Sequence, residues 1–182
     1  MKTKICMLTL LFLLMAAIPL VLVLNSIKIA PSATEEMTDE KTAVSAAAAL
    51  CDEDSDEEVI KAAVILVKTN LLAGEAVKAD KNNSNKELND KVAAVYNSNK
   101  EILTYQGNPV PVPYSKCSNG FTEKGAAEYI EAVASPWDCF DKEYESDLSC
   151  RGVSMSGVKT LCGMGLSAEE ALKWYLPKLM IG

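Results

Sequence analysis

The run from Val59 to Leu72 limits what this chain can fold into more than any other stretch. It contains neither glycine nor proline, so nothing interrupts a helix. Ser55-Asp56-Glu57-Glu58 ahead of it has the form of a capping box, serine at the cap and glutamate three residues on. Gly74 behind it suits a C-terminal cap. Val59, Ala62, Ala63, Leu66 and Val67 share a face at spacings of three and four, and Ile60, Val64, Ile65 and Leu71 make the helix apolar almost all round. Such a helix has to be enclosed on most sides, with Lys61 and Lys68 emerging on one of them.

The flanking segments supply the enclosure. Ala43 to Leu50 is alanine-rich and reads as one or two helical turns. Lys78 to Lys86 is a polar loop, after which Ser84 and Glu87 form a second capping box. That box opens a helix to about Tyr96, with Leu88, Val92 and Val95 on its apolar face. Ile102 to Tyr105 is β-forming, and Gln106-Gly107-Asn108 turns the chain. Val110 to Tyr114 alternates valine with proline, which places this strand at an edge. Ser115 to Gly120 collects small polar residues where a backbone can approach a ligand closely. A third helix is predicted from Glu123 to Val133. Ser167 and Glu170 open a final one.

The N-terminus is a different kind of segment. Lys2 and Lys4 precede an uncharged apolar run from Ile5 to Leu24, long enough to span a hydrocarbon core. Neither Asn25-Ser26-Ile27 nor Pro31-Ser32-Ala33 makes a good cleavage site, which favours an anchor over a cleaved signal peptide. The lysines would hold the N-terminus in the cytoplasm and send the rest outward. The expected division is an anchor over 1–24, an acidic linker over 25–41 and a domain over 42–182.

Charge and composition exclude several functions. Asp and Glu number 25 against 18 Lys and Arg, a net charge of −7, where a nucleic-acid partner wants a basic stripe. There is no histidine, so a Ser-His-Asp triad and a histidine-rich zinc site are both out. The acidic cluster Asp52, Glu53, Asp54, Asp56, Glu57 and Glu58 reads as a solvated loop entering a helix N-terminus, whose dipole it complements. It lacks the spacing and glycine of a calcium-binding loop. Of six cysteines, five follow the apolar run, which allows at most two disulfides. Cys139–Cys150 and Cys150–Cys162 are both conceivable pairings, and no Cys-x-x-Cys pair occurs. No metal or cofactor is expected.

Several stretches carry a resemblance. Leu103-Thr104-Tyr105, Pro109-Val110 and Tyr114-Ser115-Lys116-Cys117-Ser118-Asn119-Gly120-Phe121-Thr122 follow one another as in the signature loop of the stage II sporulation protein D family. That family comprises bacterial cell-wall lytic transglycosylases. Ser135-Pro136-Trp137-Asp138 is identical to a family motif at the right distance downstream. Glu58 to Asn70 resembles a family helix in its lysine, alanine and threonine positions, with Lys68 in place of arginine and Asn70 in place of tyrosine. Ser167 to Pro177 is similar to the family's last helix. After Tyr144 the likeness breaks: strands are missing, and Arg151-Gly152-Val153-Ser154-Met155-Ser156 stands where the family has a histidine-containing glycine-rich segment.

The resemblance implies a sporulation enzyme that cleaves peptidoglycan glycan strands during engulfment, with stage II sporulation proteins M and P as possible partners. It also implies a substrate-binding set on this chain: Lys68, Tyr114, Ser115, Ser118, Asn119, Gly120, Thr122 and Trp137. Taken alone, Trp137 reads more as a packing anchor than as a sugar platform. One position departs decisively. The family's catalytic glutamate, counted back without a gap from Lys61, falls on Leu50. A lytic transglycosylase needs one carboxyl that first protonates the glycosidic oxygen and then takes the proton of the sugar's 6-hydroxyl. Leucine does neither, and such a loss costs about 10²–10⁴-fold in rate. Glu53 substitutes only if the loop has shifted by three residues. The expectation is therefore an α+β protein: one N-terminal transmembrane helix in the cell membrane, then a small outward-facing domain of about four helices and a β-hairpin, shortened in its C-terminal part. It is either a weakly active or inactive transglycosylase relative, or a non-catalytic protein that binds peptidoglycan or the family's partners. An accidental likeness in a generic anchored domain is the third reading.

Overall fold

The apolar run forms a helix over Glu57–Leu72, and ten of its residues are buried, from Val59 and Ile60 through Thr69 and Asn70. Its end follows from Gly74, whose φ of 83° suits glycine. There the Gly74 amide donates to Leu71 O at 3.0 Å and the Glu75 amide to Asn70 O at 2.9 Å, the paired bonds of a Schellman stop. Its start differs from expectation. The cap is Asp56, with no side-chain bond. The Ser55 hydroxyl accepts from the Asp52 amide at 2.8 Å instead, closing a turn ahead of the helix. Glu58 accepts from the Ala168 amide at 2.7 Å, 110 residues away.

The structure, a computed structural model, describes residues 33–77 and 85–182. The chain divides into two compact units, Met1–Met37 and Thr38–Gly182, and all that follows except the start of the first helix lies in the second. In chain order the elements are α1 (Ala33–Ala48), α2 (Glu57–Leu72), α3 (Lys86–Ser98), β1 (Leu103–Tyr105), β2 (Asn108–Pro109), β3 (Tyr114–Ser115), β4 (Phe121–Thr122) and β5 (Val133–Ala134). A 3₁₀ turn (Pro136–Phe140), β6 (Val153–Ser154), α4 (Met155–Gly163), α5 (Ala168–Tyr175) and β7 (Met180–Ile181) complete the fold. Helices α3, α4 and α5 pack on α2, as does β1. Leu88 and Val92 of α3, Val158 and Leu161 of α4, and Ala171, Leu172 and Tyr175 of α5 bury themselves with it.

The strands are short. Strand β1 lies between β2 and β7, both antiparallel, in the order β2-β1-β7. The β1–β2 turn places Gln106 and Gly107 at φ 52° and 81°, the geometry of a two-residue hairpin that suits the sheet's twist. Pro109 thus occupies an edge strand, as its missing N–H demands. The segment beyond it is not a strand. Asn70 clamps it instead, donating to Val112 O at 2.9 Å and accepting from the Val112 amide at 2.7 Å. Strand β3 pairs in parallel with β6, Tyr114 opposite Val153 and Ser115 opposite Ser154.

Three further expectations are corrected. The helix predicted over Glu123–Val133 is absent: β4 pairs antiparallel with β5, Phe121 opposite Ala134 and Thr122 opposite Val133, and the intervening residues form their loop. The Thr122 hydroxyl accepts from the Val133 amide, and the Glu123 amide donates to Cys150 O at 2.7 Å, so both ends of the would-be helix are committed elsewhere. The pairings Cys139–Cys150 and Cys150–Cys162 are not formed; Cys51, Cys117, Cys139, Cys150 and Cys162 are free thiols. Finally, among the described residues no helix is long and apolar enough to cross a membrane. The longest, α1 and α2, have 16 residues each, about 24 Å against a hydrocarbon core of about 30 Å. The single N-terminal transmembrane helix and the single-pass placement in the cell membrane are thereby set aside. Ile5–Leu24, on which they rested, lies outside the described residues.

Candidate functional site

A cleft opens where the end of α1 meets the loop after β3 and the start of α4. Ala49, Leu50, Cys51, Asp52 and Ser55 form one side, Lys116 and Asp141–Glu143 another, and Met155, Ser156 and Lys159 a third, with Val59 at the floor. Local bonds shape each wall. The Leu50 and Cys51 amides donate to Ala47 O and Ala48 O, which turns the chain sharply off α1. The Ser156 amide donates to Lys116 O at 2.8 Å, docking the loop on α4. The Ser156 hydroxyl donates to Asp141 Oδ2 at 2.5 Å, and the Glu143 amide to Asp141 Oδ1 at 2.8 Å, which fixes that carboxylate.

The electrostatics follow from one ammonium. Lys159 lies 2.6 Å from Asp52 Oδ2 and 3.2 Å from Asp54 Oδ1. Its hydrogen bond holds the Asp52 carboxyl below the usual range, aided by the charges of Lys159, Lys142 and Lys116, against a smaller opposing effect of burial. The same bond raises Lys159 above its ordinary value, so it stays charged. Burial, and next to it the charge of Asp52, push the Cys51 thiol up to about 12, so it is an inert thiol rather than a nucleophile. The cleft has about 60 Å³ of space, room for a handful of waters.

The residues expected from sequence are only partly brought together. Leu50 is half-buried in the cleft wall, on the side facing Lys116 from the signature loop. Glu53 is exposed and outside the cleft lining. Lys68 is remote from it: its ammonium donates to Tyr96 O at 2.5 Å and to Asn99 O, and lies 4.4 Å from the Tyr96 ring centre, fastening the end of α3. Burial lowers its pKa. Tyr114 and Ser115 serve the parallel pair with β6. Tyr114 faces a separate shallow groove with Asn70, Glu75 and Pro111–Pro113, and burial raises its phenol.

The small polar residues of the loop turn inward. Ser118 is fully buried, and its amide and hydroxyl both donate to Asp138 Oδ2, at 3.0 and 2.5 Å. Gly120 has φ 102°, and a Cβ there would meet Cys139 Sγ at 2.9 Å. Asn119 donates to Ser146 O at 3.5 Å. Thr122 is buried on the β4–β5 pair. Trp137 packs against Trp174, ring centres 5.5 Å apart, and donates to the Tyr175 hydroxyl at 3.3 Å, which in turn bonds Ser135 Oγ at 2.7 Å. It is a packing anchor.

Sequence reasoning missed the wall made by Asp141–Glu143 and α4. A signal was present: Ser154 precedes Met155, Val158, Leu161 and Cys162 at helical spacing, and its side chain accepts from the Gly157 amide as an N-cap.

No family model matches the chain. A search of curated proteins finds a match of 29% identity over 85 residues. The relative is "Stage II sporulation protein D" of Bacillus amyloliquefaciens. The match covers 43% of this chain and 24% of the relative, so the chain spans about a quarter of the length of the curated protein it resembles. The similarity to a stage II sporulation protein D is thus weak and partial, and it reaches no further than a likeness to that kind of sporulation protein.

Proposed function

We propose that this chain is a sporulation protein that holds cell-wall peptidoglycan without cutting it. The observation that carries the reading is the lining of the cleft at the position of the family's acid/base. Leu50 stands there, and the carboxylate two residues on, Asp52, is held ionised by its hydrogen bond to Lys159. Lytic cleavage needs the reverse, a carboxyl kept protonated in an apolar setting until it meets the glycosidic oxygen. Glu53 does not take over the role in this reading, because it is exposed and is not among the residues that line the cleft.

The test is sedimentation with purified, insoluble cell wall. The chain is expected to co-sediment at physiological salt, with Glu53→Gln retained equally. Failure of the wild-type chain to co-sediment overturns the reading.

A further inference from the structure

Where Ser135-Pro136-Trp137-Asp138 meets the Ser118 loop and the end of α5, the buried hydrogen bonds do not balance. Asp138 is fully buried. Its Oδ2 takes both bonds from Ser118, whose hydroxyl in turn accepts from the Gly120 amide at 3.2 Å. Its Oδ1 has no hydrogen-bond partner among the described residues. A carboxylate oxygen kept from water without a donor is strongly unfavourable.

The same interior holds a spare donor. Ser135 and Tyr175 are fully buried, and their hydroxyls lie 2.7 Å apart. The Tyr175 hydroxyl also accepts from Trp137 Nε1 at 3.3 Å. Whichever hydroxyl donates to the other, one O–H hydrogen of the pair is left without an acceptor. Gly157 packs against all three groups: a Cβ there would lie 1.7 Å from Tyr175 Oη, 2.7 Å from Trp137 Nε1 and 2.8 Å from Ser135 Oγ.

Spare acceptor and spare donor belong to one turn. Ser135 caps the 3₁₀ turn without a side-chain bond to it, and the Asp138 amide donates to Ser135 O at 3.1 Å. Side chains three residues apart eclipse in such a turn, which sets the Ser135 hydroxyl and the Asp138 carboxylate on the same side of it. Neither Ser135 nor Tyr175 bonds Oδ1 directly.

We propose that one internal water bridges Asp138 Oδ1 to the Ser135–Tyr175 hydroxyl pair and so ties the Ser118 loop to α5. The water donates to Oδ1 and accepts the spare hydroxyl hydrogen, which satisfies both groups at once. A cation would satisfy the carboxylate but not that hydrogen. Among the described residues no group of three acidic or thiol side chains is placed to hold a metal ion. The site stands apart from the wall-holding reading and does not depend on it.

The test is a crystal structure of the full wild-type chain at a resolution that places single waters, with a second crystal soaked in thallium(I). One water peak is expected at about 2.6–3.2 Å from Asp138 Oδ1 and from Ser135 Oγ or Tyr175 Oη. The thallium crystal is expected to show no anomalous signal there. Three results overturn the proposal: Oδ1 bonded directly to a protein donor, a peak that touches Oδ1 and neither hydroxyl, or an anomalous peak at the site, which would make the occupant a cation.

Discussion

Two regions of the Thr38–Gly182 unit are held together by different forces. Around α2 the contacts are apolar: Ile65, Leu66, Val64 and Val67 are fully buried among side chains of α3, α4 and α5. Between Gly107 and Gly152 there is little such material, and the strands are two residues long. There the chain is kept in place by buried polar side chains: Asn70 on Val112, Ser118 on Asp138, Thr122 on Val133, and Ser135 with Trp137 on Tyr175. The difference bears directly on function. A small polar residue in a glycine-containing loop suggests ligand contact, but in this loop the backbone has no long ladder or helix to satisfy it, and serine and threonine do that work instead.

The comparison can be broken at either side. Leu66→Ala removes a fully buried side chain from the apolar region. It should cost about 2–5 kcal/mol in denaturant unfolding. A loss below about 1 kcal/mol would mean that the helix is not the pillar its burial implies. Ser118→Ala tests the polar region. It takes the hydroxyl from Asp138, whose Oδ1 is already without a partner in the interior. Stability should fall by about 1–3 kcal/mol while retention on cell wall persists. Lost retention in a folded variant would return Ser118 to the list of ligand-contacting residues.

The smallest effect belongs to the cleft's ion pair. Lys159 holds the Asp52 pKa below its ordinary 3.8. The stability this adds is present above the unfolded value and disappears as the pH falls through the folded one. Lys159→Met should therefore cost about 0.2–1 kcal/mol at neutral pH, in line with an exposed pair, with the gap to wild type closing below pH 3.8. A gap that persists in acid would assign the effect to packing of the lysine stem.

The sequence was most legible where one force decided the structure. The all-round apolar pattern of α2, the hairpin at Gln106-Gly107 and the capping box at Ser167 follow from local rules, and Ser167 and Glu170 form both bonds of that box. The Glu123–Val133 segment forms no helix because its ends are bonded to other parts of the chain, Glu123 to Cys150 O and Val133 to the Thr122 hydroxyl. The Ser55 cap failed for a related reason, since Glu58 is drawn to Ala168. In the site, Leu50 and the loop holding Lys116 were identifiable from their resemblance. The opposite wall was not, because the β3–β6 pairing that delivers Ser156 and Lys159 joins residues almost forty positions apart and leaves no periodic trace.

One measurement bears most directly on the claim that leucine, not a carboxyl, stands at the position of the family's acid/base. Wild-type chain is incubated with purified cell wall and the soluble fraction is searched by mass spectrometry for sugars ending in a 1,6-anhydro ring. The account predicts none above a no-protein control, across pH 4 to 8, on samples in which the chain has bound the wall. Accumulation of anhydro-terminated fragments with time and protein concentration would contradict it.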